Sequence, residues 1–234
     1  MEDFIIQNVN NKPVKIQVIR KRVKRLSLRI DVHGQPVATV PYGVSRARVV
    51  TFLNESAEWL SSHMRQRIFF ELPSELRTGD NVLIFGRYQK VILHKGKLAP
   101  LTVDNGYAVI TCPKPEDPGY AARAYEALLK KFAGDYFTKE FENYYYLISS
   151  RYRRPSISVR KMTSRWGSAN PSRMEIHLSL YLIQTPKVCI DSVVLHETSH
   201  FLVMDHSDAF YRVVLGAMPD YWERKKLLNQ YAAL

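Results

Sequence analysis

The chain has 234 residues, 46% of them hydrophobic and 24% charged, which excludes disordered and collagen-like classes and gives length enough to bury a core without disulfide staples. Its 34 Lys and Arg against 22 Asp and Glu leave a formal charge of +12, a field that favours encounter with anionic partners without specifying any chemistry. Two cysteines, Cys112 and Cys189, lie far apart and outside any CxxC spacing, which argues against a disulfide framework or a cysteine-ligated metal and for a reduced, cytoplasmic setting.

Met1-Glu2-Asp3 is acidic where a secretory leader is basic, and no apolar run approaches the roughly 20 residues that span a bilayer, so neither export nor a membrane anchor is expected. Period-two alternation predicts strands at residues 14–19 and 26–30, followed by a turn at His33-Gly34-Gln35-Pro36. Ser45 is placed to cap a helix reaching about Arg67, with Val49, Phe52, Leu53, Ala57 and Leu60 near one stripe. Strands are expected around 82–85, 90–93 and 107–112, between the turn signals Gly79-Asp80-Asn81 and Asp104-Asn105-Gly106. Pro113, Pro115, Pro118 and Gly119 form the densest punctuation, which puts a boundary near residue 116 between a strand-rich lobe (1–115) and a helical lobe (116–234). Residues 120–150 suit one long helix or a helix pair. Short strands are expected at 156–159 and 174–178, then a helix from about Lys187 to Val203 and C-terminal helices. No internal repeat or low-complexity segment stands out. The fold class expected is α+β.

The chemistry concentrates in His196-Glu197-Thr198-Ser199-His200. Residues four apart share one face of a helix, so both imidazoles can reach one metal, and Glu197 lies beside them without being needed as a ligand. A metal such as zinc lowers the pKa of a bound water from 15.7 to about 7, and Glu197 is suited to take the proton. A catalytic zinc usually has three protein ligands, and His206, beyond a turn before the helix that Ser207 could cap, is the nearest third donor. Five-residue matches of this kind also arise by chance on exposed helices. Here three of the seven histidines fall within eleven residues, behind the apolar run Val193-Val194-Leu195.

Ser164-Arg165-Trp166-Gly167-Ser168, then His196-Glu197-x-x-His200, then Asp205-His206-Ser207-x-x-Phe210-Tyr211, then Met218-Pro219-Asp220-Tyr221 resemble, in order and spacing, the YgjP-like metallopeptidase-domain family, related to SprT-like zincins. The β-rich N-terminal half resembles that family's leader. The resemblance implies a zincin-like helical lobe with an HExxH active-site helix, His196, His200 and His206 as metal ligands, and Glu197 as the catalytic carboxylate. Ala169 stands where the family often has Cys and Thr198 where it often has Leu, and neither change removes a ligand. His206 sits at the metzincin spacing, but Val203 replaces the metzincin glycine, so the chain is not assigned there.

Around this segment, Arg160, Arg165 and Trp166 are candidates for substrate binding, with Lys161 as a further nearby charge and core packing of Trp166 as the alternative. The run Arg20-Lys21-Arg22-Val23-Lys24-Arg25, read as lying on a hairpin, suits either a nucleic-acid surface or charge protection of a strand edge. Tyr144-Tyr145-Tyr146 reads as packing, because consecutive residues cannot share a helix face. Asp220 suits a helix cap, and Tyr221 could assist an oxyanion.

The expected function is therefore a metal-dependent hydrolase, most simply a zinc metallopeptidase acting on peptides. One alternative keeps the metal centre but takes nucleotides or other phosphate esters, as a nucleoside triphosphate pyrophosphohydrolase would, and would explain the charge. Three imidazoles favour Zn2+ or another transition metal, while Mg2+ could arrive with a phosphate substrate. A nucleic-acid-binding module with a structural metal is the alternative from a different class, and Glu197 counts against it.

Overall fold

The computed structural model describes residues 3–9, 12–30, 36–64, 72–162 and 165–231. The turn expected at His33-Gly34-Gln35, the helix end expected at residues 65–67, and Ser164 of the Arg-Trp-Gly motif lie outside these residues. The chain divides into two compact units, Met1–Glu71 with Asn229–Leu234, and Leu72–Leu228.

The first unit contains β1 (Asp3–Val9), β2 (Lys12–Lys21), β3 (Ser27–Ile30) and β4 (Pro36–Pro41) in the order β1-β2-β4-β3, then α1 (Arg46–Glu55) and α2 (Ala57–Met64). Alternation puts Ile5, Ile16, Val18, Ala38 and Val40 on one sheet face, where they pack against Val49, Leu53 and Leu60 of the helices. Ser45 caps α1 as expected, its hydroxyl accepting the Arg48 N–H at 3.3 Å. The single helix expected here divides at Ser56, whose hydroxyl donates to the Phe52 carbonyl at 2.8 Å. β2 and β3 are not neighbours, because β4 lies between them. The basic run is thus not on a hairpin: Arg20 donates to the carbonyls of Pro41, Tyr42 and Val44, and Arg22 to Arg25 cross, exposed, from β2 toward β3.

The second unit begins with β5 (Asn81–Ile84), β6 (Arg87–Lys95), β7 (Thr102–Asp104) and β8 (Tyr107–Cys112), ordered β5-β6-β8-β7, and continues into α3 (Pro118–Tyr145). This repeats the first unit's arrangement: an antiparallel pair, a parallel central pair (β2 with β4, β6 with β8), a second antiparallel pair, then a helix. Even the ends correspond, since Val37-Ala38-Thr39-Val40-Pro41 leads to the cap Ser45 as Val109-Ile110-Thr111-Cys112-Pro113 leads to the cap Asp117. The chain therefore does contain a repeat, held in topology and cap spacing.

The expected boundary near residue 116 is corrected to residues 71 and 72. Ile84, Val91, Ile110 and Cys112 of the sheet share one core with Tyr125, Leu129 and Phe137 of α3 and with Val194 further on. The proline-rich stretch is a tight strand-to-helix turn in which Asp117 accepts the Tyr120 N–H at 3.0 Å and Pro118 occupies the first helical turn. The helical second lobe is corrected as well. It carries a sheet of β9 (Ser156–Arg160), β10 (Gly167–Asn170) and β11 (Glu175–Ser179), ordered β10-β11-β9, ahead of α4 (Lys187–Ser199), α5 (Asp208–Ala217) and α6 (Tyr221–Leu228). The molecule is a mixed α and β fold. Among the described residues no helix is long and apolar enough to cross a membrane.

Candidate metal centre

α4 enters the core of the second unit with Val193, Val194 and Leu195 buried. Thr198 and Ser199 are fully enclosed too, and their hydroxyls donate back to the carbonyls of Val194 and Leu195 at 2.8 and 2.9 Å, so polar side chains sit in apolar surroundings without an outside partner. The helix ends at Ser199 with His200 as its C-cap, short of the Val203 expected. The loop after it returns before α5, and Ser207 stands at the helix N-cap but makes no side-chain capping bond.

This reversal brings the ring nitrogens of His196, His200 and His206 within 4.8 Å of one another. The Nε2 atoms of His196 and His206 are 3.0 Å apart. Two nitrogens held at 2.0–2.1 Å by one tetrahedral ion stand about 3.3 Å apart, so the cluster has the dimensions of a metal site. The second nitrogens are occupied. The His200 Nδ1–H donates to the Val203 carbonyl at 3.2 Å, which leaves its Nε2 lone pair available, and His196 Nδ1 lies 2.8 Å from the Tyr221 hydroxyl. Burial, then the neighbouring His200 and His206, hold His196 down at about 3, and burial lowers His200, so both rings are neutral donors at pH 7. Three converging imidazoles fit a divalent transition metal.

Phe210, fully buried on α5, lies under all three rings with centroid distances of 4.9, 4.7 and 5.0 Å. The sequence places it in the motif but does not tell its role as the floor of the cluster.

Glu197 is 6% exposed, and desolvation pushes its carboxyl up to about 8, against opposing pulls from the Arg165 charge and from the Ala169 N–H, whose hydrogen bond the carboxylate accepts. Strand β10 makes this contact possible because position 167 is glycine. A Cβ there would lie 2.7 Å from Glu197 Cγ and Oε1. Gly167, Ser168 and Ala169 of β10 line one open pocket together with the three histidines, Glu197, Arg165 and Met204.

Of the three substrate-binding candidates, Arg165 alone lines that pocket. Arg160 is exposed on β9, and half-buried Trp166 packs against the core of the unit. Lys161 pairs with Glu126 at 2.6 Å. In the tyrosine run, Tyr144 is buried and Tyr146 is 63% exposed. The Asp220 carboxylate accepts from Arg224 Nε at 2.8 Å. Tyr221 turns to the His196 ring, a contact across 25 residues that no local spacing could reveal.

No curated protein matches the chain. Among solved structures it is similar to the metallopeptidase zymogen of Pyrococcus abyssi abylysin, at 14% identity over 42% of this chain and 99% of that one, with a TM-score of 0.36, a likeness too slight to bear on the fold. The family described as YgjP-like, metallopeptidase domain, matches residues 24–231, a span that takes in β10, the histidine cluster and the whole of α4 to α6. On that match the chain belongs to the YgjP-like metallopeptidase-domain family.

Proposed function

We propose that the protein is a zinc-dependent peptidase of zincin-like design, with His196, His200 and His206 as ligands and Glu197 as the general base. The observation that carries this reading is the pairing, in one pocket, of three converging imidazoles with a buried carboxylate of raised pKa. When bound, the metal would supply Lewis-acid polarisation of a carbonyl and acidify water.

Glu197 then does the proton work. Burial raises its carboxyl to about 8 without a metal, and the charge of a bound metal would draw it back toward neutrality, where it could accept a proton from the attacking water and return it to the departing amine. The Ala169 N–H ties the carboxylate to β10 by a hydrogen bond. As the edge strand of its sheet, β10 offers a rail along which an extended peptide can lie, and the short side chains of Gly167, Ser168 and Ala169 leave its approach open.

A second reading, hydrolysis of a nucleotide or other phosphate ester at the same centre, is favoured by Arg165, a cation at the pocket that suits a phosphate. The test is metal content by mass spectrometry for the wild type and a His196→Ala/His206→Ala variant, followed by parallel screens of peptides and nucleoside triphosphates with Glu197→Gln as control. About one zinc per chain, lost in the variant, with peptide turnover lost in Glu197→Gln, is expected. Triphosphate turnover alone, lost in Glu197→Gln, would select the second reading, and absence of metal in every preparation would reject both.

A further inference from the structure

The Tyr221 hydroxyl lies 2.8 Å from Nδ1 of His196, and the side chain is 3% exposed. It is not among the residues lining the pocket, so it does not reach a substrate there. Its ring runs parallel to the His196 ring, at an interplanar angle of 9°. The two histidines of α4 therefore differ in how their outer nitrogens are held. His200 faces a carbonyl, which can only accept and so fixes its tautomer. His196 faces a hydroxyl, which can donate or accept.

The placement of that hydroxyl is not left to α6 alone, a helix of only eight residues. Arg224, one turn after Tyr221, donates from Nε to Asp220 at 2.8 Å and pairs through its guanidinium with Asp191. Asp191 lies on α4, the helix that carries His196, and also accepts the Tyr144 hydroxyl of α3 at 2.6 Å. A mostly buried ion pair thus fastens α6 to α4 near the point where Tyr221 meets His196.

We infer that Tyr221 is a positioning residue for the metal centre. Its oxygen accepts the Nδ1 proton of His196, which presents Nε2 to the metal, and the Asp191–Arg224 pair holds the hydroxyl at the height this requires. The inference rests on the proposal that the three histidines bind zinc. Outer partners of metal-bound histidines typically contribute a factor of about 10–100 in metal affinity, and Tyr221→Phe removes the hydroxyl while keeping the buried ring.

The experiment is a zinc titration against a chromophoric chelator for wild type, Tyr221→Phe, Arg224→Met and the double variant, with ¹⁵N NMR of the histidine side chains in the zinc-loaded proteins. Zinc affinity is expected to fall about 10–100-fold in Tyr221→Phe. The His196 Nδ1 proton, protected from exchange in wild type, becomes fast-exchanging in that variant. Arg224→Met lowers affinity by less, and adds nothing once the hydroxyl is gone. Equal zinc affinity in wild type and Tyr221→Phe, or a spectrum placing the metal on Nδ1 of His196, would overturn the inference while leaving the metal centre intact. An Arg224→Met loss that persists undiminished without the hydroxyl would overturn the role of the ion pair. A wild type that takes up no zinc would overturn the metal reading and this inference with it. Should Tyr221→Phe fail to fold, Arg224→Met in the same titration decides, unchanged affinity counting against the inference.

Discussion

Gly167→Ala tests how tightly the Glu197 carboxylate is enclosed. The added Cβ would stand 2.7 Å from Glu197 Cγ and Oε1 and 2.8 Å from Cδ, where ordinary contact begins at 3.4 Å, so the two must separate by at least 3.4 − 2.7 = 0.7 Å. Glu197 is buried on a helix packed into the core, and β10 is held by β11, so neither side yields freely. Overpacking of this kind costs about 1–3 kcal/mol, which at roughly 2–4 °C per kcal/mol for a chain of this size lowers the melting midpoint by ~2–12 °C. Turnover should fall too, because a misplacement approaching 1 Å costs on the order of 10²-fold. The assay is a double-mutant cycle on melting midpoint with Glu197→Ala. Once the carboxylate is gone, the alanine at 167 has room, and an interaction energy of about 0.5–3 kcal/mol should appear. A Gly167→Ala protein with unaltered turnover, or one whose loss of stability is the same in both backgrounds, would refute the close contact.

Glu197→Gln should retain metal and lose at least about 10²-fold in turnover, measured on whichever substrate the screens identify. In the metal-free protein, His196 has a folded pKa of about 3, below its ordinary 6.5, so its contribution to stability is present above pH 6.5 and lost as pH falls toward 3. Glu197, raised from 4.5 to about 8, contributes below pH 4.5 and loses that contribution as pH rises through 8. These two groups together place maximum stability of the metal-free protein between pH 4.5 and 6.5, and denaturant titration across pH should find the alkaline decline reduced in Glu197→Gln. Phe210→Ala should cost about 3–5 kcal/mol and loosen the histidine cluster, read as lower melting midpoint and weaker zinc uptake. Replacing Arg22, Lys24 and Arg25 by Ser should leave stability within about 0.5 kcal/mol, because all three are exposed; a larger loss by calorimetry would point to contacts beyond charge.

The histidine cluster was legible because helical periodicity fixes which residues share a face: His196 and His200, four apart, meet as the period requires. His206 joined them through a reversal whose direction no period gives. β10 escaped detection for a related reason. Gly167-Ser168-Ala169-Asn170 has little strand propensity and is defined by pairing with β11, a partner found only in three dimensions. The misplaced boundary at residue 116 has a different origin, since proline marks a sharp strand-to-helix turn as readily as a linker, and only burial of Ile110 and Cys112 against α3 separates the two cases. Thr198, polar by composition, is buried because its own helix satisfies its hydroxyl. The Tyr221 contact and the Asp191–Arg224 pair were beyond sequence reading, being set by how α6 packs on α4.

The repeated strand-to-helix passage also bears on redox behaviour. Cys112 stands at the end of β8 where Val40 stands at the end of β4, each fully buried beside the proline that closes its strand. The fold therefore uses this thiol as it uses a methyl group, and burial raises its pKa, with Cys189 pushed up to about 12 for the same reason. Neither sulfur offers the accessible thiolate that peroxide attacks, so a chain built with two cysteines should be as indifferent to mild oxidation as one built with none.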